Sequence, residues 1–473
     1  MTAPDTLPWG SPAARRLLTA TVSASGLVFL DVSTVQVALP AIGAEFAAPL
    51  SGLQWTVGAY TLALAALILP AGALGDHVGL ARMFRLGTVW FALASILCAL
   101  APTAATLVAA RGLQGIGGAL LTPASLALVQ RAFGPHDRAR AIGVWAALSG
   151  IAAAAGPVAG GWLVDVLSWR AIFWTNLPVA GVVLLAAGRG ALAAVPAPRP
   201  QTGGGRFDVA GAALAGLGLG MVSAALIAAG EDGFTRPVVW GLGVGMLALI
   251  AFLGRQWRAR QPLLPLTLFT SRQFSGANAA TFAVYGGLSG LTFLLVLHLQ
   301  VSLGYDARTA GAALAPISLV LLVLSPRIGQ LAARIGPRWP MTLGPLVMAA
   351  GMLALAGVGP DARLLPNVLV PVTLAGVGLA LTVTPLTATV LAAVPAQHTG
   401  VAAGVNNAVS RAAGLLVIAG LPAAVGLAGS DYTDPARLAG AYTAGVQLSA
   451  GLVAAGGLLA WVTVRERLYP SGD

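Results

Sequence analysis

Fourteen long apolar runs separated by short polar stretches leave this chain few ways to fold. They lie near residues 17–39, 53–74, 84–101, 104–130, 139–166, 171–191, 208–229, 237–254, 274–299, 309–331, 339–358, 366–393, 399–427 and 440–463. About 20 apolar residues, rising 1.5 Å each, cross a hydrocarbon core of roughly 30 Å. No water is available there to bond the backbone, so each run must satisfy its own amides as a helix. A closed barrel would need alternating strands of about 10 residues, and these runs are too long and too uniformly apolar for that. Of the 473 residues, 57% are hydrophobic and 9% charged, against about 25% charge in soluble domains. The sequence therefore predicts an all-α polytopic membrane protein.

The net charge of +11 would suggest nucleic acid in a soluble protein, but here the basic residues fall in the loops between apolar runs. All 26 are arginine, which we read as genome composition. With the N-terminus in the cytoplasm, 19 of them lie in tails and loops on that face, five on the other (Arg170, Arg236, Arg308, Arg363, Arg437) and two inside runs (Arg111, Arg411). This is the positive-inside pattern for a multi-pass protein of the cytoplasmic (inner) membrane with both termini cytoplasmic. It also requires an even number of spans. Cys98, the single cysteine, permits no intrachain disulfide and reads as packing. The first apolar run holds an acid and no clear cleavage pattern, so it reads as a retained helix and not a signal peptide.

That acid is Asp31, within Leu17–Pro40 and some 14 residues, about 21 Å, beyond Leu17. An ionised Asp at such depth costs at least ~2.5–3.5 kcal/mol, so it must be protonated, paired or facing a wet cavity. Each option suggests transport; the alternative is an Asp that simply hydrogen-bonds a neighbouring helix. Arg111 lies about 7 residues below the outer surface and Asp31 about 8 or 9 below the same surface. The two depths agree. A nearby Arg would hold the carboxylate ionised, and separation would let it take a proton, one exchanged for one substrate. A permanent structural ion pair is the other reading.

The hydropathy also repeats. Gly72, Leu74 and Gly79 recur as Gly329, Leu331 and Gly336, each after the second span of a six-span block, and GIGGALLTP from Gly115 echoes GVGLALTVTP from Gly376. Two similar halves commonly build a transporter's central site at their interface. We divide the chain into a cytoplasmic tail 1–16, a six-helix bundle 17–191, a linker 192–273 with two additional spans, a second six-helix bundle 274–463 and a cytoplasmic tail 464–473. The linker carries the Pro/Gly-rich VPAPRPQTGGGRFD and the Arg/Trp-rich RQWRARQPLLPL.

Several motifs carry a family resemblance. Gly72-Ala-Leu-Gly-Asp76-His-Val-Gly79-Leu-Ala-Arg82 resembles the loop motif after the second helix of the major facilitator superfamily, and Leu107 to Ala119, with Arg111, Gln114, Gly115, Gly117 and Gly118, resembles its fourth-helix motif. Gly143, Ala152, Gly156, Pro157, Gly160 and Gly161 are similar to its fifth-helix antiporter motif. Leu30-Asp31 through Pro40, and Trp169 to Pro178 with Asn176, resemble patterns of its fourteen-helix drug:proton antiporter family. The likeness covers nearly the whole chain. This sequence departs from the pattern at His77, Leu80 and Ala81, where basic residues are usual; at Ala333, where the second copy would hold an acid; at Ala152, for a glycine; and at Ser33 and Gln36, for Thr and Asn. The resemblance implies two six-helix bundles plus two linking helices, exchanging protons for small lipophilic drugs or antibiotics across the bilayer. It implies no cofactor beyond the proton gradient, no nucleic acid and a monomer.

Read physically, Asp76 follows an inward-running span and sits where a helix C-terminus disfavours negative charge by ~0.3–1 kcal/mol, so it should mark a contact. The resemblance implies a cytoplasmic latch built from Gly72, Asp76, Gly79 and Arg82, against the span near 399; a plain polar turn is the alternative. Ala152, Gly156 and Gly160 recur every fourth residue and make one helix face smooth, while Pro157 removes a donor and favours a kink. The resemblance implies that this seam seals the cavity while the halves rock; ordinary small-residue packing is the other reading. Gln36, Trp55, Tyr60, Gln114, Trp145, Asn406, Asn407 and Arg411 are candidates to line a substrate cavity, with packing or interface anchoring as the alternative for the aromatics. His298 and Gln300 read more readily as interface caps than as a proton path. There is no GxxxxGK[ST] loop for ATP, no HExxH and no Cys/His cluster for a metal, and no sign of an enzyme. Rival readings are a dedicated exporter of one metabolite or lipid, and a receptor or scaffold that keeps the fold.

Overall fold

The computed structural model describes residues 6–188, 192, 208–259, 262–395 and 398–466, excepting the side chains of Ala73, Asp76 and His77. Each of the fourteen apolar runs carries a helix: α1 Pro12–Phe46, α2 Leu50–Val78, α3 Leu80–Ala99, α4 Ala104–Ala132, α5 Pro135–Val166, α6 Arg170–Ala186, α7 Val209–Asp232, α8 Arg236–Arg258, α9 Arg272–Leu297, α10 Ala307–Ile335, α11 Arg338–Ala356, α12 Val370–Ala392, α13 Thr399–Ala424 and α14 Pro435–Thr463. Thirteen are long and apolar enough to cross a membrane. The exception, α6, has 17 residues, about 26 Å of helix. A single π-helical turn extends α9 over His298–Ser302, and another leads into α12 over Leu364–Leu369.

Helix starts follow local chemistry. Pro12 fills the first position of α1, where its missing N–H is no loss, and the Ser11 hydroxyl accepts from the Ala14 amide. Thr103 and Thr106 form a reciprocal capping box on α4, and the Asp208, Asp306 and Asp434 side chains cap α7, α10 and α14. Gly79 and Gly336 end α2 and α10 at φ +93° and +84°, a region that disfavours any Cβ. The two copies of the repeated motif therefore end their helices in the same way.

The second sequence echo is structural as well. In the first half α4 presses Gly115 against Tyr60 of α2 and Gly117 against the backbone of Phe91 in α3. In the second, α12 presses Gly376 against Ile317 of α10 and Gly378 against the backbone of Met348 in α11. The first half packs α1 to α6 against one another and the second packs α9 to α14, while α7 and α8 pair and α7 lies on α2 and α13. Asp208 holds that hairpin by accepting from Arg255 at 2.6 Å and Gln256 at 2.9 Å. The linker segment 193–207 and the tails 1–5 and 467–473 lie outside the described residues.

The halves meet along α5 with α10 and α2 with α13. At the end away from the chain termini the junction is tight. Asp165, in the last turn of α5, accepts from the Ala307 and Arg308 amides at 3.2 and 2.8 Å. Gln54 of α2 donates to the Ile418 and Ala419 carbonyls of α13 at 2.8 and 3.1 Å, Leu50 donates to Gly429, and Tyr432 donates to Ala48. Gln300 donates to the Val37 carbonyl of α1 at 2.9 Å, a further bond across the halves. Towards the termini α10 becomes progressively exposed: Ala333, Arg334 and Ile335 at its end are uncovered, as are Ala146, Ala147 and Leu148 on α5. At that end the α5–α10 pair is uncovered, while α2 and α13 stay in contact through Leu69 and Gly404.

Candidate functional site

Asp31 sits near the middle of α1, with no exposed surface. Arg111 of α4 donates through Nη1 to its Oδ2 at 2.5 Å and, at the same length, to Gln114 Oε1. The other carboxylate oxygen accepts from Gln114 Nε2 at 2.8 Å and from Asn176 Nδ2 of α6 at 2.9 Å. Both amides also donate to Ser95 Oγ of α3, at 2.9 and 3.2 Å. The guanidinium donates through Nε to the Thr56 carbonyl at 3.2 Å and lies 4.3 Å from the Tyr60 ring centre and 5.8 Å from that of Phe173. Five helices thus meet on one ion pair, and the charge on each partner is balanced by the other and by neutral donors and acceptors. Such a pair is held by geometry: its attraction only offsets desolvation because the remaining lone pairs are satisfied.

The seam on α5 lies close by and has two faces. Ala152, Gly156 and Gly160 face α1: a Cβ on Gly156 would run into Ser33, and one on Gly160 into the Thr34 backbone, one turn beyond Asp31. Ala152 stands where a third glycine would allow contact, and the glycine is on the other helix: Gly26 of α1 faces the Ala152 methyl. Pro157 and Gly161 face the other half, with the Pro157 carbonyl against Gly311 and Gly161 against the Ala307 backbone of α10. A single helix therefore touches both the acid-bearing α1 and the opposite half. Gly143 stands apart, exposed and with open space around it.

A charged pair sealed in one six-helix half, a repeat of that half and a close-packed small-residue seam between them are features of a transporter scaffold, and the sequence profile of the Major Facilitator Superfamily matches residues 21–419. The chain belongs to the Major Facilitator Superfamily. It is 37% identical over 400 residues to the multidrug resistance protein Stp of Mycobacterium tuberculosis, covering 83% of this chain and 73% of that one. It is 34% identical over 460 residues to the puromycin resistance protein pur8 of Streptomyces alboniger, covering 94% and 90%. Among solved structures, the peptide transporter POT in complex with sulfate superposes with a TM-score of 0.69 at 15% identity, covering 98% of this chain and 96% of that one. This major facilitator is thus a multi-pass membrane transporter and not an enzyme.

Within the facilitator fold the expected cavity residues separate into three groups. Gln114 and Tyr60 do not line an open cavity: Gln114 bonds both partners of the ion pair, and Tyr60 is buried beneath Arg111. Trp55 turns outward to a lateral crevice of about 680 Å³ between α2, α4 and α7, with Leu62, Ile116 and Ala213. Trp145 is half-buried and donates to Ser25 of α1 at 3.1 Å. Gln36, Asn406 and Arg411 are half-buried and Asn407 exposed; Asn406 donates to Asn278 and Thr281 of α9 at 3.2 and 2.7 Å. His298 is enclosed in the second half, stacked on Tyr442 at 3.9 Å and bonded to the Val358 carbonyl.

At the termini-side gate, Gly79 has the positive φ and Gly72 has open space around it. Arg82 is exposed. The Asp76 side chain lies outside the described residues, so the latch expected of it remains a proposal. Ser95, Gln54 and Asp165 are not singled out by the sequence. Asn176 lies within the Trp169–Pro178 motif, where an amide in an apolar run is the available signal; Asp165 has only its place at a helix end.

Proposed function

We propose that this facilitator is a proton-coupled antiporter that exports small lipophilic drugs or antibiotics across the cytoplasmic membrane by alternating access. The observation that carries the reading is the sealed Asp31–Arg111 pair in a molecule whose halves are tied at one end by bonds from Asp165 and Gln54. The similarity to Stp and pur8 supports drugs and antibiotics as the cargo. Loop arginines support placing the end where α5 and α10 are uncovered, with both termini, in the cytoplasm.

In this scheme residues 17–191 and 274–463 are the two rocking bodies of a monomer. With the halves parted towards the cytoplasm, Asp31 has released its proton and is held ionised by Arg111. Substrate enters between the halves, and closure at the cytoplasmic end turns the site outward, with the Asp76 loop as its brace. The α5 seam carries the motion to α1, because Gly156 and Gly160 touch Ser33 and Thr34 next to the acid. As α1 and α4 shift, Asp31 separates from Arg111, meets the more acidic outside and takes up a proton while the substrate leaves. Return and deprotonation re-form the pair.

The test is efflux from proteoliposomes under an imposed pH gradient, with compounds chosen by a survival screen of cells expressing the chain against a broad panel. Asp31→Asn should abolish gradient-driven efflux while substrate binding remains measurable. Efflux retained by Asp31→Asn overturns the coupling, and a screen in which wild type protects against nothing overturns the export reading.

A further inference from the structure

Arg411 is the second arginine inside a span, and it lacks what Arg111 has. It lies at the middle of α13, 12 residues after Thr399 and 13 before Ala424, about 18 Å from either helix end and beyond the reach of its own side chain to the interface. It is half-buried, and among the described residues no hydrogen bond or ion pair engages its guanidinium. On one side Asn406 bonds Thr281 and Gly414 meets Ser289 of α9, which sets Tyr285 level with Arg411; Leu415, one turn further along the Arg411 side of α13, meets Gly58 of α2. Arg411 therefore lies where α13 packs on both halves. The Tyr285 hydroxyl makes no hydrogen bond among the described residues, and the buried Tyr60 hydroxyl has no partner. One turn towards the termini, Asn407 is exposed on the same side of the helix.

No resident acid can neutralise it. Of the 15 acidic residues in the chain, Asp31 alone lies deep within a span, and its two oxygens are already taken by Arg111, Gln114 and Asn176. The rest sit in helix ends, loops or tails. A half-buried guanidinium in a bilayer-spanning bundle is costly unless it has a counter-charge, and such residues mark substrate pathways. Its planar fork matches oxyanions in particular, with two parallel donors and charge-assisted bonds.

We propose that Arg411 receives an oxyanion of the transported compound, so that the preferred cargo is an apolar skeleton bearing one carboxylate, sulfonate or acidic phenol. This deepens the export reading and rests on it for the word cargo. Asn407 and the Tyr285 hydroxyl supply the neutral polar contacts beside the ion pair.

The test uses the full chain in phosphatidylcholine nanodiscs and a matched pair of fluorescent probes. These are 1-anilinonaphthalene-8-sulfonate and N-phenyl-1-naphthylamine, the same skeleton without the sulfonate, read by energy transfer from tryptophan with empty discs subtracted. Wild type should bind the sulfonate saturably and at least about tenfold more tightly than the neutral probe. Arg411→Gln should weaken sulfonate binding about tenfold and leave the neutral probe within about twofold. Arg411→Lys keeps the charge without the fork and should retain part of the preference, which also serves if the glutamine variant fails to fold. Equal binding of the two probes, no saturable sulfonate binding to wild type, or an equal loss of both in the variants overturns the proposal. Binding is read without a proton gradient, so a chain that binds through Arg411 but exports nothing sinks the export reading alone.

Discussion

Asp31 has both oxygens occupied and no exposed surface, so its chemistry depends on whether Arg111 stays. Removing one member of a buried ion pair leaves the other uncompensated, at a cost of about 3–5 kcal/mol. Arg111→Ala should therefore lower the thermal unfolding midpoint sharply in detergent. The double variant Asp31→Asn/Arg111→Gln, which leaves no lone charge, should recover much of the loss while remaining uncoupled. A double variant no more stable than Arg111→Ala would mean that the pair is not the stabilising unit. Asn176 and Ser95 matter in the same frame: their neutral dipoles satisfy what the ion pair leaves open, and they bring α3 and α6 onto α1.

At the scale of the element, α5 is the linkage between the acid and the opposite half. Its Gly156 has room for no methyl, because Ser33 of α1 fills the space a Cβ would need. Gly156→Ala should cost about 1–3 kcal/mol of stability, the usual range for overpacking, and slow coupled transport. Ser33→Gly in the same chain should restore both in part, as it removes the hydroxyl and the Cβ that the new methyl meets. Failure of Ser33→Gly to rescue either would place the effect of Gly156 elsewhere. The Ala152–Gly26 contact shows the same rule from the other side: close approach needs a small residue on one helix, and which helix supplies it is interchangeable.

Away from the termini the halves are held together largely by side chains bonding backbone across the junction. Asp165 is the charged member of that set, placed on the free amides of α10 where the helix dipole favours an anion. Asp165→Ala removes a cap of about 0.5–2 kcal/mol, enough to shift a two-state population by roughly 2- to 30-fold. With Cys98 buried, spin labels at Leu167→Cys and Ala312→Cys can report the α5–α10 separation by double electron–electron resonance. The longer-distance population should grow in Asp165→Ala. An unchanged distance distribution would mean that the apolar seam alone sets the closure.

Hydropathy alone determined the fourteen helices, because a bilayer offers the backbone no partner but itself. It also gave Asp31 and Arg111 a common depth, by counting residues at 1.5 Å each, while their contact came only with the structure. The repeat was legible in Gly79 and Gly336, where only a residue without a Cβ fits the turn. Rotation about each helix axis was not legible. Lipid and protein interior are both apolar, so the face turned inward leaves little mark on the sequence; Trp55 points to a lateral crevice, and Gln114 and Tyr60 belong to the buried cluster. Nor could the sequence pair residues hundreds of positions apart, such as Gln54 with Ile418, or show that the seam's missing glycine had moved to Gly26. Those contacts are decided by how helices tilt and turn against one another, which packing of the complete bundle sets and local sequence does not.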